Sequence, residues 1–161
     1  MDGEAIMAVR NRFRPGYQPN NEYYTPPEVF TRLGLNFDLD VCAPEQKLSW
    51  IPAKQHYWEA IDGLSKEWVG RIWMNPPYSG ANAWHLRFKE HRNGVALVQV
   101  SRNKTFIELW NDADGVVLMP HNFKFVKADG SLKEIFMPVA LIAYGEENVE
   151  AIKASGWNRA R

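Results

Sequence analysis

Residues 35–42, Leu-Asn-Phe-Asp-Leu-Asp-Val-Cys, alternate apolar and polar side chains. That period of two predicts a half-buried strand, ending around Cys42-Ala43-Pro44. Before it, Thr25-Pro26-Pro27-Glu28 reads as a helix start, with Thr25 as N-cap, Pro26 at the first helical position and Glu28 completing a capping box. Val29, Phe30 and Leu33 give that helix an apolar face, and Gly34 stops it. Arg71 to Met74 reads as a short buried strand that Pro76 and Pro77 must end, because proline cannot donate to a ladder. Ala81 to Glu90 predicts a helix with Trp84 and Phe88 on one side. Val95 to Val100 is a near-continuous apolar run of the kind found in parallel sheets. Lys104 to Asn111 predicts a helix with Phe106, Ile107 and Trp110 inward, followed by a strand over Val116–Met119. Phe123–Val126 and Val139–Tyr144 are expected to pair as a hairpin around Asp129-Gly130, and a helix from about Glu147 to Ala154 follows. Residues 44–69 carry Pro44, Pro52 and Gly63 among aromatics and predict only short pieces.

Strands alternating with helices argue for an α/β fold: a mostly parallel sheet, with the terminal hairpin as its antiparallel edge. In such sheets ligands sit beyond the carboxyl ends of strands. Two polar, proline-bearing strand exits lie there, Asp40-Val41-Cys42-Ala43-Pro44 and Asn75-Pro76-Pro77-Tyr78.

With 161 residues the chain is expected to hold one domain, over 23–161, preceded by a polar arm over 1–22 that is flexible without a partner. One cysteine, Cys42, excludes an internal disulfide. The N-terminal residues lack the apolar stretch of a signal peptide, and no apolar run approaches the roughly 20 residues of a membrane span, so a cytoplasmic location is the default expectation. Lys plus Arg and Asp plus Glu both number 19, a formal net charge of zero that counts mildly against a strong nucleic-acid binder. Distribution matters more: Arg87, Lys89, Arg92, Arg102 and Lys104 gather in one stretch, and Arg10, Arg12 and Arg14 in another. The four histidines are scattered without metal-ligand spacing, and one cysteine cannot complete a zinc site, so no metal is expected. Neither a phosphate-binding Gly-x-x-x-x-Gly-Lys nor a Gly-x-Ser-x-Gly nucleophile elbow occurs.

Asn75-Pro76-Pro77-Tyr78 is where chemistry concentrates. Its prolines make the segment stiff and rich in acceptors. The Asn75 side-chain carbonyl and the Pro76 backbone carbonyl could receive both protons of an exocyclic amino group. Doing so draws the nitrogen lone pair out of conjugation and stabilises the positive charge that grows as the nitrogen attacks a methyl group. Tyr78 offers a flat face on which a flipped base could stack. An ordinary Asn-Pro turn beside a buried tyrosine is the alternative.

This tetrapeptide is the catalytic signature of the amino-methyltransferases. The wider sequence resembles the phage-type Dam DNA N6-adenine methyltransferases through Tyr24-Thr25-Pro26-Pro27, Phe37 to Ala43, Asp62-Gly63-Leu64 with Trp68, Trp73 to Tyr78, Ser101 to Thr105 and Phe123-Lys124-Phe125, in that order from about residue 22 to 145. The resemblance implies a compact, truncated Rossmann-like class I methyltransferase fold with S-adenosylmethionine as cofactor and double-stranded DNA as partner. It implies that Tyr24, Thr25 and Pro26 frame the cofactor's methionine part. Asp40, Cys42 and Ala43 would form the first-strand loop against it, Asp62 and Leu64 would flank its adenosine, and Asn75, Pro76, Pro77 and Tyr78 would hold the target base. Arg102, Asn103, Lys104 and Lys124 would meet DNA. Two departures stand out: the first loop lacks a Gly-x-Gly, which predicts weak cofactor affinity, and the two strand exits lie so close in sequence that helices of the full fold are expected to be missing.

Plainer readings stay open for several of these residues. Asp40 could be a turn or cap residue and Cys42 a small packing residue. Asp62-Gly63 is a common turn. Ser101 to Lys104 could be a solvated loop followed by a helix cap. The expected activity is methylation of adenine N6 in DNA, with relaxed or short sequence preference because the chain has no room for a separate recognition domain. A homodimer or the N-terminal arm could extend the contact. The alternatives are methylation of cytosine N4 or another amino group, and a non-catalytic protein of the same fold that binds DNA or a host protein.

Overall fold

The computed structural model describes residues 23–45 and 48–157. The expected arm over 1–22, with Arg10, Arg12 and Arg14, lies outside the described residues. A six-stranded sheet carries helices on both faces. Its strands are β1 (Phe37–Ala43), β2 (Ala53–Trp58), β3 (Ile72–Met74), β4 (Gly94–Gln99), β5 (Gly115–Leu118) and β8 (Val139–Tyr144), in the spatial order β2-β1-β3-β4-β8-β5. Neighbours from β2 to β4 pair in parallel, while β8 runs antiparallel to both β4 and β5. Five strands therefore point the same way, and the mostly parallel, Rossmann-like α/β architecture expected from the sequence is the one observed.

Side-chain alternation along the strands divides the core. On one face Trp73 packs edge-on against Phe30 and Phe37, with ring centroids 4.8 and 5.6 Å away. This face, with Val95, Leu97 and Leu141, is covered by α1 (Pro27–Leu33) and α4 (Glu146–Ala154). On the other, Ile72, Met74, Ala96 and Ile142 meet α2 (Ala81–His91) through Phe88 and α3 (Lys104–Asp112) through Phe106 and Leu109.

The expected hairpin between residues 123–126 and 139–144 does not form. Instead β6 (Phe125–Val126) pairs with β7 (Leu132–Lys133) in a separate two-stranded ribbon around the Asp129-Gly130 turn, and Tyr24 bridges the other side of Val126. β8 is an interior strand, not an edge. All six of its residues are buried, and an apolar run without alternation is the signature of a strand covered on both faces.

Three smaller differences have local causes. α1 starts one residue late, with Pro26 as cap, and no side chain caps it. Thr25 is occupied elsewhere (below), and Glu28 pairs with Arg32 at 2.9 Å instead of closing a capping box. Gly34 does end the helix, at φ 63°, a left-handed conformation that costs glycine little. Ile107 is half exposed, because the inward face of α3 is set by Phe106 and Leu109. β2 was not legible because it is an edge strand whose Lys54 and Gln55 face solvent.

Candidate functional site at the carboxyl edge of the sheet

β1, β3 and β4 are parallel neighbours, so Asp40–Ala43, Asn75–Tyr78 and Ser101–Lys104 meet at one edge of the sheet; Asp40, Cys42 and Ala43, expected as the first-strand loop, are still strand, paired with β2 and β3. At β3 the ladder stops after Met74, and the chain crosses the edge with Pro76 buried and Pro77 exposed. The Asn75 side-chain amide, Nδ2, donates to the Tyr23 carbonyl at 3.0 Å and to Thr25 Oγ1 at 3.2 Å. A carbonyl can only accept, so the bond to Tyr23 fixes the amide's orientation and turns Oδ1 the other way. Neither Asn75 Oδ1 nor the Pro76 carbonyl has a hydrogen-bond partner among the described residues. Two rigid acceptors on consecutive residues are thus held ready for donors.

The segment that holds Asn75 is itself tied down. Tyr24 exchanges backbone hydrogen bonds of 2.8 and 3.0 Å with Val126, and the Thr25 carbonyl accepts from Trp50 Nε1 at 2.8 Å. Thr25 is buried and spends its hydroxyl on Asn75, which is why it does not cap α1. Pro26 follows directly, half-buried, as the cap of α1.

Tyr78 stacks on Tyr23 with centroids 5.8 Å apart and planes at 28°, and meets Phe125 edge-on at 6.4 Å. Its hydroxyl is buried with no hydrogen-bond partner among the described residues, and burial pushes its pKa up, so the ring stays neutral. Tyr23 escaped the sequence reading although its carbonyl and ring both belong to the site. In an extended segment residues 23 and 25 lie on one side, so the alternation around Thr25 carried that signal.

Asp40 is 1% exposed. Its Oδ1 accepts from the Cys42 N–H at 3.2 Å, and its Oδ2 lies 4.0 Å from His56 Nδ1 on the neighbouring strand. Burial raises its pKa to about 7. The carboxyl thus braces the β1 exit from inside, with Cys42 half-buried and Ala43 buried beside it. Asp62, Gly63 and Leu64 form a turn packed against the same strand: a Cβ on Gly63 would stand 2.2 Å from the Val41 carbonyl, so only glycine allows this approach. Trp68 Nε1 donates to the Gly63 carbonyl at 2.8 Å and holds the turn there. Asp62, at φ 56°, is exposed, and Leu64 is half-buried. The fold therefore brings Asp40–Ala43 and Asp62–Leu64 together, while Tyr24 and Thr25 stand beside Asn75.

Asp40 also makes a test. In the folded chain it keeps its proton to a higher pH than in the unfolded chain, where an aspartate titrates near 3.8. Between those two values the folded state binds more protons, so stability falls as pH rises from about 4 to about 7 and then levels off. Asp40→Asn is expected to remove this component, worth at most a few kcal/mol. Urea denaturation of both proteins at the two ends of that window measures it, and parallel pH profiles would rule out Asp40 as the cause.

At the β4 exit Asn103 caps α3, its side chain accepting from the Phe106 N–H at 2.9 Å, which is the plainer of its two sequence readings. Lys104 pairs loosely with Glu108 at 3.6 Å, and Arg102 is exposed with no ion pair among the described residues. Lys124 is exposed in the turn entering β6. Arg92 does not belong with them. It sits before β4 begins, bonded to Asp112 at 2.8 Å and stacked over Tyr144, at the opposite edge of the sheet. The basic stretch read from sequence is thus divided between two ends of the molecule.

A family model described as DNA N-6-adenine-methyltransferase (Dam) matches residues 18–135, well over half of the chain. No curated protein matches it.

Proposed function

The chain belongs to the DNA N-6-adenine-methyltransferase (Dam) family, and from that premise we propose that it methylates N6 of an adenine flipped out of duplex DNA, with S-adenosylmethionine as cofactor. The observation that carries the reading is the Asn75 amide. Its donors are spent on Tyr23 and Thr25, which leaves Oδ1 and the carbonyl of the next residue, Pro76, as the acceptors for an amino group's two protons. Accepting them localises the lone pair on nitrogen, and the fixed dipoles stabilise the charge that develops there. Tyr78 walls the base position. With Tyr23 already stacked on one side of Tyr78, an incoming base either uses the opposite side or displaces Tyr23.

The residues at the edge suit the cofactor. Asp62 offers an exposed carboxylate for ribose or amine donors, Leu64 an apolar wall for a purine, and Gly63 keeps the turn tight against β1. Asp40 works from behind, shaping the strand end at Cys42-Ala43, and Tyr24, Thr25 and Pro26 complete the side nearest Asn75. When bound, S-adenosylmethionine would supply an electrophilic methyl group in line with N6: the N–C bond forms as the S–C bond breaks, S-adenosylhomocysteine leaves, and the proton lost from nitrogen passes to water. Residues 23–161 form the catalytic domain in this reading, with 1–22 as an arm toward DNA.

Incubation with tritiated S-adenosylmethionine and unmethylated duplex DNA, followed by nucleoside mass spectrometry, tests the proposal. N6-methyl-2′-deoxyadenosine is the expected product. Label on cytosine would move the substrate, and absence of both transfer and cofactor binding would overturn the reading.

Arg102, Asn103, Lys104 and Lys124 are proposed to face the DNA. For Arg102 and Lys104 the contact is with backbone phosphate, because neither side chain is fixed for base readout. The double change Arg102→Ala with Lys104→Ala is expected to weaken binding to all sequences alike and to lower the log–log salt slope by about 2. Fluorescence anisotropy across a salt series measures this, and an unchanged slope would remove both residues from the interface.

A further inference from the structure

The segment between β7 and β8 joins the ribbon to the sheet at the same edge as Asn75. It is anchored at both ends: Ile135 packs into the core, and the Pro138 carbonyl accepts from the Val100 N–H at 2.8 Å. Between the anchors Phe136 is 100% exposed, with Met137 at 40%. A fully solvated phenylalanine on a braced turn gains nothing for the fold. Together with Met137 and Leu118 it rims an apolar cavity of about 370 Å³.

Its surroundings indicate what covers it. Arg102 is two residues beyond Val100, the backbone partner of Pro138. Lys124, Lys127 and Lys133 stand on the adjoining ribbon, and none of these four has an ion pair among the described residues. The ribbon also touches the base position, since Phe125, the register partner of Lys133, lies edge-on to Tyr78. These four cations outnumber the two exposed acids of the same segment, Asp129 and Glu134, and an apolar tip on a segment with surplus positive charge matches duplex DNA, whose stacked bases are apolar and whose rim is phosphate. A protein partner recognised through this tip would have no need of the surrounding cations.

Resting on the methyltransferase reading above, we propose that Phe136 is a wedge that enters the base stack beside the target adenine and holds open the gap left when it flips. Apolar side chains inserted at a base step unstack it and kink the duplex, and a base already unpaired needs no such help. The Lys and Arg side chains bind phosphates on either side, and Ile135 and Pro138 keep the tip from folding back.

Phe136→Ala tests this with two readouts. Because the side chain is fully exposed, the melting temperature is expected to stay unchanged. Methyl transfer to duplex DNA is expected to fall about tenfold or more while transfer to the same strand unpaired stays within about twofold, and Phe136→Trp is expected to restore the duplex rate. Independently of transfer, duplexes carrying 2-aminopurine in place of adenine are expected to brighten on binding wild-type protein and to stay dim with Phe136→Ala at equal saturation. Equal loss on paired and unpaired DNA, or equal brightening by both proteins, would overturn the wedge. So would a wild-type dimer that Phe136→Ala converts to monomer, since the tip would then be a contact between copies. If wild-type protein brightens the duplex yet transfers no methyl group, the wedge stands and the methyltransferase reading falls.

Discussion

Asn75→Ala is expected to lower kcat by on the order of 10²–10³, the cost of removing one fixed group that stabilises charge in a transition state, while the affinity for S-adenosylmethionine stays within a few fold. The asymmetry follows from where the amide points. Nδ2 is engaged by Tyr23 and Thr25, so Oδ1 is the atom left for substrate, and alanine removes it. Alanine also releases the Tyr23 carbonyl and the Thr25 hydroxyl. That loss of two hydrogen bonds is expected to cost about 1–3 kcal/mol of stability, but the backbone pairing of Tyr24 with Val126 and the bond from Trp50 keep the segment in place. Calorimetric titration with the cofactor and single-turnover transfer to duplex DNA separate the two effects. Equal loss of binding and transfer would show that Asn75 serves the cofactor side.

The second large effect is on folding. Trp73 is 1% exposed and locked between Phe30 of α1 and Phe37 of β1. Trp73→Ala leaves a void that α1, β1 and β3 cannot all close, because the strands are held by their ladders. The expected cost is about 3–5 kcal/mol, a large share of the roughly 5–15 kcal/mol that keeps an ordinary domain folded. Urea denaturation followed by far-ultraviolet circular dichroism measures it, with the midpoint falling and the slope unchanged. A loss under about 1 kcal/mol would mean that this face of the sheet repacks freely, contrary to the dense packing of protein cores.

The sequence made strands visible where their burial produced a pattern. β1 alternates, β4 is continuously apolar, and both stood out. β2 did not, because an edge strand with solvated Lys54 and Gln55 looks like a loop. The pairing of β8 was misread because proximity in sequence favours a hairpin with residues 123–126. Its six apolar residues instead required cover on both faces, which only an interior position provides. At the site, the tetrapeptide at the end of β3 was legible from the abrupt change between an apolar run and two prolines. What the tetrapeptide leans on was not. Asn75 is held by Tyr23 and Thr25, fifty residues or more away in the chain, and no local pattern records such a contact. A threonine before two prolines satisfies the local rule for a helix cap, and at Thr25 a tertiary hydrogen bond to Asn75 overrides it.

The position of β8 also bears on how the molecule is made. β4 and β5 have no ladder between them and are joined only through β8, which follows both in the chain. Without β8, β1 to β5 therefore form a four-stranded sheet, open at β4, and a lone strand β5, and the two cannot join until residues 139–144 are in place. Such long-range closure is slow, and its open edges invite pairing with other chains. The same event seats Pro138 on Val100 and sets the turn that carries Phe136. The edge that carries Asn75 is thus completed in the step that completes the sheet.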